Sequence, residues 1–260
     1  MKRIKNIVSF IYPILIESRN GTVTNYLEIM QSNGQYILNS QNANYSFGGV
    51  HKIFDEIFKK INIKQYDFKN VLILGMGAGS VIKLLQEKYD INCSITAVEK
   101  DKVVIELAEK YFNIKRYKAL TIINADAFEY AATTTNTYDL IISDLFVEWD
   151  VPKIFASNEY LVNLKKISNN RACIIYNKMT ELPIHKKELT NLSDNFERVF
   201  PGSEVYKLYV NESENSILFN NTLPVLIKEP NPNAIETVDD TAKKFITEDH
   251  SAVLDFPKIK

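Results

Sequence analysis

The sequence has 260 residues, of which 45% are hydrophobic and 24% are charged, enough for one large globular domain or for one domain with a small appendage. Its formal net charge is −1 at pH 7, so it has no overall basic field that would attract nucleic acid or an anionic membrane. With only eight glycines and eight prolines, collagen-like and linker-rich sequences are also excluded.

The N-terminus superficially resembles a secretory signal, because Lys2, Arg3 and Lys5 precede the apolar run Ile7–Ile16. That run is interrupted by Pro13, has no small-residue cleavage site and is too short to span a bilayer. We therefore expect a β-strand over Ile7–Ile16, no membrane association and a cytoplasmic location.

Residues 6–40 predict a small antiparallel β-meander, because β-branched and aromatic runs alternate with turn sequences. The predicted strands are Ile7–Ile16, Thr24–Met30 and Gln35–Leu38, separated by Arg19-Asn20-Gly21 and Ser32-Asn33-Gly34. An i, i+3, i+4 apolar pattern then predicts an amphipathic helix over residues 48–61. We expect three regions: this meander in 1–47, a cofactor-binding domain in 48–225 and a C-terminal extension in 226–260 packed on that domain.

From residue 70 the sequence alternates between short apolar strands and amphipathic helices, which predicts a doubly wound, mostly parallel α/β sheet. Predicted strands are Val71–Leu74, Ile95–Val98, Ala119–Ile123, Tyr138–Ser143 and Ala172–Tyr176, followed by an edge hairpin of Glu204–Val210 and Ser216–Phe219. Predicted helices are Ser80–Tyr89, Lys102–Phe112, Ala127–Ala132, Asn158–Ile167, Ser193–Phe200 and a short one over Asp239–Ile246.

A glycine-rich turn, Leu74-Gly75-Met76-Gly77-Ala78-Gly79, follows the first of these strands and precedes a helix. Gly75, Gly77 and Gly79 allow a tight turn and let backbone N–H groups approach a ligand at the positive end of a helix. Such a turn is weak evidence in isolation, but its position between a strand and a helix favours a nucleotide-like ligand.

Acidic residues follow the next three strands. Glu99 comes about 20 residues after the glycine turn, where a carboxylate can accept hydrogen bonds from ribose hydroxyls. Asp126, followed by Ala127, can accept from the adenine amine or cap the next helix, and the two roles are compatible. Asp144 follows the fourth strand, where an acid can act as a general base or hold a cationic substrate.

All four features fall at the carboxyl ends of successive strands, where open α/β sheets bind their ligands. Nicotinamide cofactors share the glycine turn and the acid at Glu99. Asp126 and Asp144 instead favour an adenosyl-sulfonium ligand, and Ser80 stands where the dinucleotide pattern requires a third glycine. The sequence thus predicts S-adenosylmethionine or its decarboxylated form as cofactor, and it contains no metal-ligand spacing.

Three segments resemble the spermidine synthase family, a branch of the S-adenosylmethionine-dependent methyltransferase fold. The most specific is Val98-Glu99-Lys100-Asp101-Lys102-Val103-Val104, with a helix that ends in Lys110-Tyr111-Phe112. Asn124–Phe128 and Tyr138–Asp144 resemble the adenine segment and the fourth strand of the family. The resemblance, strongest over residues 71–177, implies a seven-stranded methyltransferase-type sheet, a small-molecule acceptor and a homodimer.

Three positions depart from the aminopropyltransferases of that family. Ala78 stands where their glycine turn carries an Asp that holds the amine of decarboxylated S-adenosylmethionine, so the intact cofactor becomes acceptable. Val147 replaces the second acid of their Asp-Ser-Ser-Asp-Pro segment, of which Asp144 keeps the first. Val50-His51-Lys52 aligns with their Tyr-His-Glu and keeps only His51, which either lines the acceptor cleft or has a structural role.

A diamine acceptor needs several acids to balance its charges, and Glu148 and Asp150 can replace the missing ones only in part. The favoured hypothesis is therefore a methyltransferase that uses S-adenosylmethionine on an unidentified small-molecule acceptor, with Asp144 and His51 as catalytic residues. Two alternatives stay open: an aminopropyltransferase with an altered acceptor pocket, and a non-catalytic homologue that binds an adenosyl ligand.

Overall fold

A computed structural model of the protein describes residues 7–41, 49–147, 150–210 and 213–220, without the side chains of residues 49 and 50. The chain divides into two compact units, Met1–Ile227 and Lys228–Lys260, and every described residue belongs to the first. The predicted C-terminal extension, with its helix over Asp239–Ile246, lies outside the described residues, as does Glu148.

A seven-stranded sheet forms the centre of the described unit. Its strands are β4 (Asn70–Leu74), β5 (Ser94–Glu99), β6 (Leu120–Asn124), β7 (Tyr138–Ser143), β8 (Ser168–Met179), β9 (Ser203–Val210) and β10 (Ser213–Asn220). They lie in the order β6-β5-β4-β7-β8-β10-β9, in which β10 is antiparallel to both of its neighbours, β8 and β9, and the other neighbouring strands are parallel. The predicted doubly wound, mostly parallel sheet with an edge hairpin is confirmed. The strand order reverses between β4 and β7, which is where such sheets bind ligands.

Helices cover both faces of the sheet, which explains why its central strands are apolar throughout. One face packs against α1 (Gly49–Lys60), α2 (Ser80–Lys83), which continues into a π-helical turn (Leu84–Lys88), and α3 (Lys102–Tyr111). The other packs against α4 (Ala127–Thr133), α5 (Asn158–Lys166) and α6 (Pro183–Val199). In this part of the chain, no helix combines the length and hydrophobicity that crossing a lipid bilayer requires.

Three antiparallel strands, β1 (Ile14–Arg19), β2 (Leu27–Ser32) and β3 (Gln35–Ser40), form the predicted N-terminal meander. β2 and β3 are joined by a two-residue turn in which Asn33 and Gly34 have φ angles of 50° and 75°, as a tight hairpin requires. The predicted strand over Ile7–Ile16 is wrong in its first half. Residues 7–12 form a helical turn, in which the N–H of Tyr12 donates to the Val8 carbonyl, and the extended chain begins only after Pro13.

Two elements extend well beyond their predicted ends. Helix α6 begins at Pro183, ten residues before the predicted Ser193, because proline is tolerated in the first turn of a helix, where its missing N–H has no intrahelical partner. Strand β8 continues past Tyr176 through the polar residues Asn177 and Lys178, both 2% exposed. Polarity alone therefore did not mark the end of this buried strand.

Candidate active site

The carboxyl ends of the four parallel strands β6, β5, β4 and β7 meet at one edge of the sheet. Leu74, the last residue of β4, pairs with Val98 on one side and with Ser143 on the other. Glu99 pairs with Asn124 at the end of β6. The glycine turn and the three predicted acids therefore all follow or end strands that stop at the same edge, as the sequence predicted.

The glycine turn lies against the segment that leaves β7. Gly75, Gly77 and Gly79 have φ angles of 88°, 52° and 86°, a region that side chains disfavour. A Cβ atom at Gly75 would lie only 2.1 Å from the carbonyl oxygen of Asp144. Glycine is thus required at position 75 by the close approach of two backbone segments.

Glu99 is held by the backbone of the turn and by that of its own loop. Its Oε2 accepts from the N–H of Gly77 at 3.1 Å, and its Oε1 accepts from the N–H of Asp101 at 3.0 Å. Burial raises the pKa of Glu99, and these two backbone hydrogen bonds oppose that rise. Each carboxylate oxygen can accept a second hydrogen bond, so the predicted bonds to ribose hydroxyls fit this geometry.

Asp126 caps helix α4, the structural role that its position predicted. Its Oδ1 accepts from the N–H groups of Phe128 (2.8 Å) and Glu129 (3.3 Å), and its Oδ2 lies 3.0 Å from Lys100 Nζ. Burial alone would raise the pKa of Asp126, but the Lys100 ammonium and the backbone donors outweigh burial and lower it. The cap leaves the N–H of Ala127, the first helical residue, to donate to a ligand. Adenine recognition by Asp126 and Ala127 stays a prediction.

Asp144 begins the segment after β7 and is held by Asn177, whose Nδ2 donates to its Oδ1 at 2.9 Å. Burial raises the pKa of Asp144 to about 7, the Asn177 bond opposes this, and the negative charge of Glu99 adds to it. The Glu99 carboxylate therefore lies close enough to Asp144 for its charge to act on that carboxyl group. A carboxyl group with a pKa near 7 can take up and release a proton under physiological conditions.

Asn177 was not predicted as a site residue. It follows the apolar run Ala172–Tyr176, and an asparagine that continues such a run at a strand end is a sequence signal that could have pointed to it. The side chain is 2% exposed, and within the described part of the chain its Oδ1 has no hydrogen-bond partner. Since buried amide oxygens are nearly always bonded, Asn177 retains an acceptor for a ligand donor next to Asp144.

His51 lies half-buried on α1, and the charged groups that act on it differ from those that act on Asp144. Burial is the main cause that lowers the pKa of His51, and the charges of Asp55, Lys83 and Lys88 modulate it. These charges belong to α1 itself and to the helical segment after the glycine turn. Participation of His51 in an acceptor cleft with Asp144 stays a prediction.

Ala78 packs against the N-terminal sheet. It is 4% exposed and belongs to a cluster with Leu27, Ile29 and Leu38. A carboxylate at position 78 would meet these apolar side chains unless it turned toward the crevice. The surroundings of position 78 are therefore adapted to a small apolar residue.

Asp101 was recognised in the sequence only as part of the Val-Glu-x-Asp motif, yet it attaches the N-terminal sheet to the site. Its carboxylate is 2% exposed and accepts from the N–H groups of Thr22 (3.0 Å), Val23 (3.0 Å) and Thr24 (3.2 Å) in the β1–β2 loop. It also caps α3 by accepting from the N–H of Val103 at 2.9 Å. The loop is thereby fixed two residues from Glu99.

The segment after Asp144 offers fewer free acids than the sequence suggested. Val147, in the place of the second family acid, pairs with Asp150 through backbone hydrogen bonds of 2.9 and 3.2 Å. The Asp150 carboxylate lies 3.3 Å from Lys178 Nζ. Since Asp150 already balances a lysine, its charge is not wholly available to a diamine.

The sheet order, the glycine turn and the acids at successive strand ends define a class: the Rossmann-like proteins of the S-adenosylmethionine-dependent methyltransferase superfamily. Within this class, residues 54–220 match the spermine/spermidine synthase domain, which is more than half of the chain. The chain therefore belongs to the spermine/spermidine synthase domain family, as the motifs around Glu99 and Asp144 predicted.

The chain is similar in sequence to proteins named for two different reactions, methyl transfer and aminopropyl transfer. The chain is 27% identical over 160 residues to an eEF1A lysine and N-terminal methyltransferase homolog of Drosophila melanogaster, covering 58% of this chain and 23% of that protein. It is also 27% identical over 172 residues to a polyamine aminopropyltransferase of Vibrio vulnificus, covering 65% and 54%. The chain thus spans about a quarter of the first protein and about half of the second.

The solved structure of the spermidine synthase of Thermotoga maritima superposes on this chain with a TM-score of 0.61 at 18% sequence identity, covering 79% of this chain and 72% of that one. This similarity supports the fold. Relatives therefore include both methyl and aminopropyl transferases.

Proposed function

We propose that the protein transfers the methyl group of S-adenosylmethionine to a small-molecule amine or hydroxyl, with Asp144 as the proton acceptor. The observation that carries this proposal is the placement of Asp144 at the switch point of the sheet. Its carboxyl group is bonded to Asn177 and has a pKa raised to about 7. An acid in that place is suited to exchange a proton with a bound acceptor.

The chemical demands of this reaction match the residues at the strand ends. S-adenosylmethionine, when bound, supplies a methyl group made electrophilic by its sulfonium. The protein must then align the acceptor atom in line and exclude water. Ionised Asp144 takes the proton that the acceptor loses, and an amine acceptor can donate its second N–H to the Oδ1 of Asn177. Glu99 accepts from the ribose, and Asp126 and the N–H of Ala127 contact the adenine.

The preference for intact S-adenosylmethionine rests on Ala78. An acid at this position in aminopropyltransferases would repel the cofactor's carboxylate and bind the amine of the decarboxylated form. With Ala78 packed on Leu27, Ile29 and Leu38, neither effect operates. An ammonium buried there without a partner would cost at least about 1–3 kcal/mol.

Aminopropyl transfer to an amine is the second candidate. The family match over residues 54–220 and the similarity to the polyamine aminopropyltransferase of Vibrio vulnificus favour it. Against it, Val147 replaces one family acid and Asp150 is paired with Lys178. A third candidate, a non-catalytic adenosyl-ligand-binding protein, would share the site but not the turnover.

Isothermal titration with both cofactors discriminates between the first two candidates. We expect S-adenosylmethionine to bind at least as tightly as its decarboxylated form. A tenfold or greater preference for the decarboxylated form would overturn the proposal in favour of aminopropyl transfer.

Turnover is measured with methyl-labelled S-adenosylmethionine on a panel of amines and hydroxyl compounds. Asp144→Asn should abolish turnover while cofactor affinity changes less than threefold. Asp67→Asn, which removes the exposed pair with Lys69 at the opposite edge of the sheet, is the matched control and should behave like the wild type. Cofactor binding without turnover on any compound would instead support the non-catalytic candidate.

A further inference from the structure

Two consecutive residues of β8 contact the segment that follows β7, one at Asp144 and the other at Asp150. Successive side chains of a strand point to opposite faces of the sheet, so Asn177 and Lys178 face opposite sides. Asn177 Nδ2 donates to Asp144 at 2.9 Å, and Lys178 Nζ lies 3.3 Å from the Oδ1 of Asp150. The segment that carries the proposed proton acceptor is thus attached to one strand at two points.

Lys178 is a buried cation, with its side chain 3% exposed. Its Nζ donates at 2.8 Å to the Oε2 of Glu188 on α6, whose side chain is 23% exposed, while Asp150 is 52% exposed. His185 Nε2 lies 4.0 Å from the same Asp150 oxygen. Since a lysine is rarely buried unless it is paired, Glu188 and Asp150 are what allow Lys178 to lie beneath this segment.

Asp150 transmits this attachment toward Asp144. Its N–H donates to the carbonyl of Val147 and its carbonyl accepts from the N–H of Val147, at 3.2 and 2.9 Å. Val147 is three residues from Asp144, whose own N–H donates to the carbonyl of Leu74 at 2.9 Å. A displacement of Asp150 would therefore displace Val147 and strain the contact between Asp144 and the end of β4.

We propose that Lys178 is a positioning residue: it holds Asp150 on one face of the sheet while Asn177 holds Asp144 on the other, and so keeps Asp144 enclosed at the strand ends. Lys178 lies on the face covered by α6 and acts on the crevice only through Asp150. Nothing in this role depends on which group is transferred.

The pKa of Asp144, measured by carboxyl ¹³C NMR on the full chain without ligand, tests the proposal. Burial is the main cause of its rise to about 7, so loosening the segment should hydrate the carboxyl and lower the pKa by one unit or more. We expect this decrease both in Asp150→Asn and in Lys178→Met. Asp67→Asn removes an exposed ion pair before the first residue of β4, at the amino ends of the strands, and should leave the pKa of Asp144 unchanged.

The two variants separate positioning from direct charge effects. Removing the negative charge of Asp150 would by itself lower the pKa of Asp144, whereas removing the positive charge of Lys178 would raise it. A decrease in both variants supports positioning; shifts of opposite sign, or the absence of a decrease in either variant, overturn it. If Lys178→Met does not fold, Lys178→Met/Glu188→Met removes the buried pair without a change in net charge, and the same decrease is expected. Because no cofactor or acceptor is needed, the outcome is independent of the proposed methyl transfer.

Discussion

Replacing Asp101 by asparagine tests whether one carboxylate attaches the N-terminal sheet to the cofactor domain. In the wild type its Oδ2 accepts from the N–H groups of Val23 and Thr24, while Oδ1 serves Thr22 and Val103. In Asp101→Asn one oxygen becomes an NH₂ group. If the amide oxygen keeps its bonds to Thr22 and Val103, a donor then faces the two remaining N–H groups.

The expected loss follows from these two unpaired donors. A buried N–H group left without an acceptor costs about 1–3 kcal/mol, so the unfolding free energy should fall by about 3 kcal/mol. A loss confined to the helix cap would be much smaller, because asparagine is nearly as good an N-cap as aspartate. Asp126→Asn is the matched control, since Asp126 caps α4 through Phe128 and Glu129 and accepts no N–H from a distant loop in the described structure.

Urea denaturation at pH 7 measures the unfolding free energies of the wild type, Asp101→Asn and Asp126→Asn. The opposing effects of burial and of the backbone N–H groups leave the pKa of Asp101 below its ordinary value. A lowered folded-state pKa stabilises the protein above the unfolded pKa of about 3.9 and loses this effect as the pH falls further. The difference in unfolding free energy between the wild type and Asp101→Asn should therefore become smaller below about pH 4. A loss in Asp101→Asn no larger than in Asp126→Asn would refute the docking role.

Two further predictions concern the crevice itself. The folded-state pKa of Asp144 is raised from about 3.9 to about 7, so the wild type loses stability as the pH rises through this interval. Asp144→Asn cannot ionise, so thermal unfolding should show it more stable than the wild type at pH 8 by on the order of 4 kcal/mol and about equally stable at pH 4. A difference in stability that stays constant with pH would contradict this. Gly75→Ala should lose at least about 2 kcal/mol and most of its affinity for S-adenosylmethionine, because its Cβ would collide with the Asp144 carbonyl. Gly202→Ala, also at positive φ (78°) but in the turn before β9, should keep its affinity, and equal losses in the two variants would contradict the argument.

The central sheet could be predicted because its signals are local. Val71–Leu74, wholly buried, is an apolar run that only a strand covered on both faces explains, and the helical periodicity between strands supplied the crossovers. The same reasoning failed at Ile7–Ile16, where β-branched residues do not form a strand before Pro13. Ile7 and Ile11 are 69% and 71% exposed there, so composition without a pairing partner was a misleading guide.

Some residues of the candidate site could likewise be predicted from the sequence, and others could not. Gly75 and Glu99 could be placed from the sequence because parallel strands all end at one edge, so position along the chain translates directly into position in space. Asp101 could not, since its acceptor role depends on N–H groups 77 to 79 residues earlier in the chain. No local pattern predicts which loop a capping carboxylate will also hold.

The chemistry of Asp144 lies beyond the sequence for a related reason. An aspartate after a strand is ordinarily ionised at pH 7, and only its enclosure, together with the charge of Glu99, raises its pKa to about 7. That enclosure depends on Asn177, 33 residues away, and on the close approach of Gly75 to its carbonyl. The motif therefore predicts where an acid lies, whereas its ability to exchange a proton depends on three strands meeting at one edge. Substitutions that preserve every motif residue but loosen that edge should alter the reaction as much as the loss of a motif residue does.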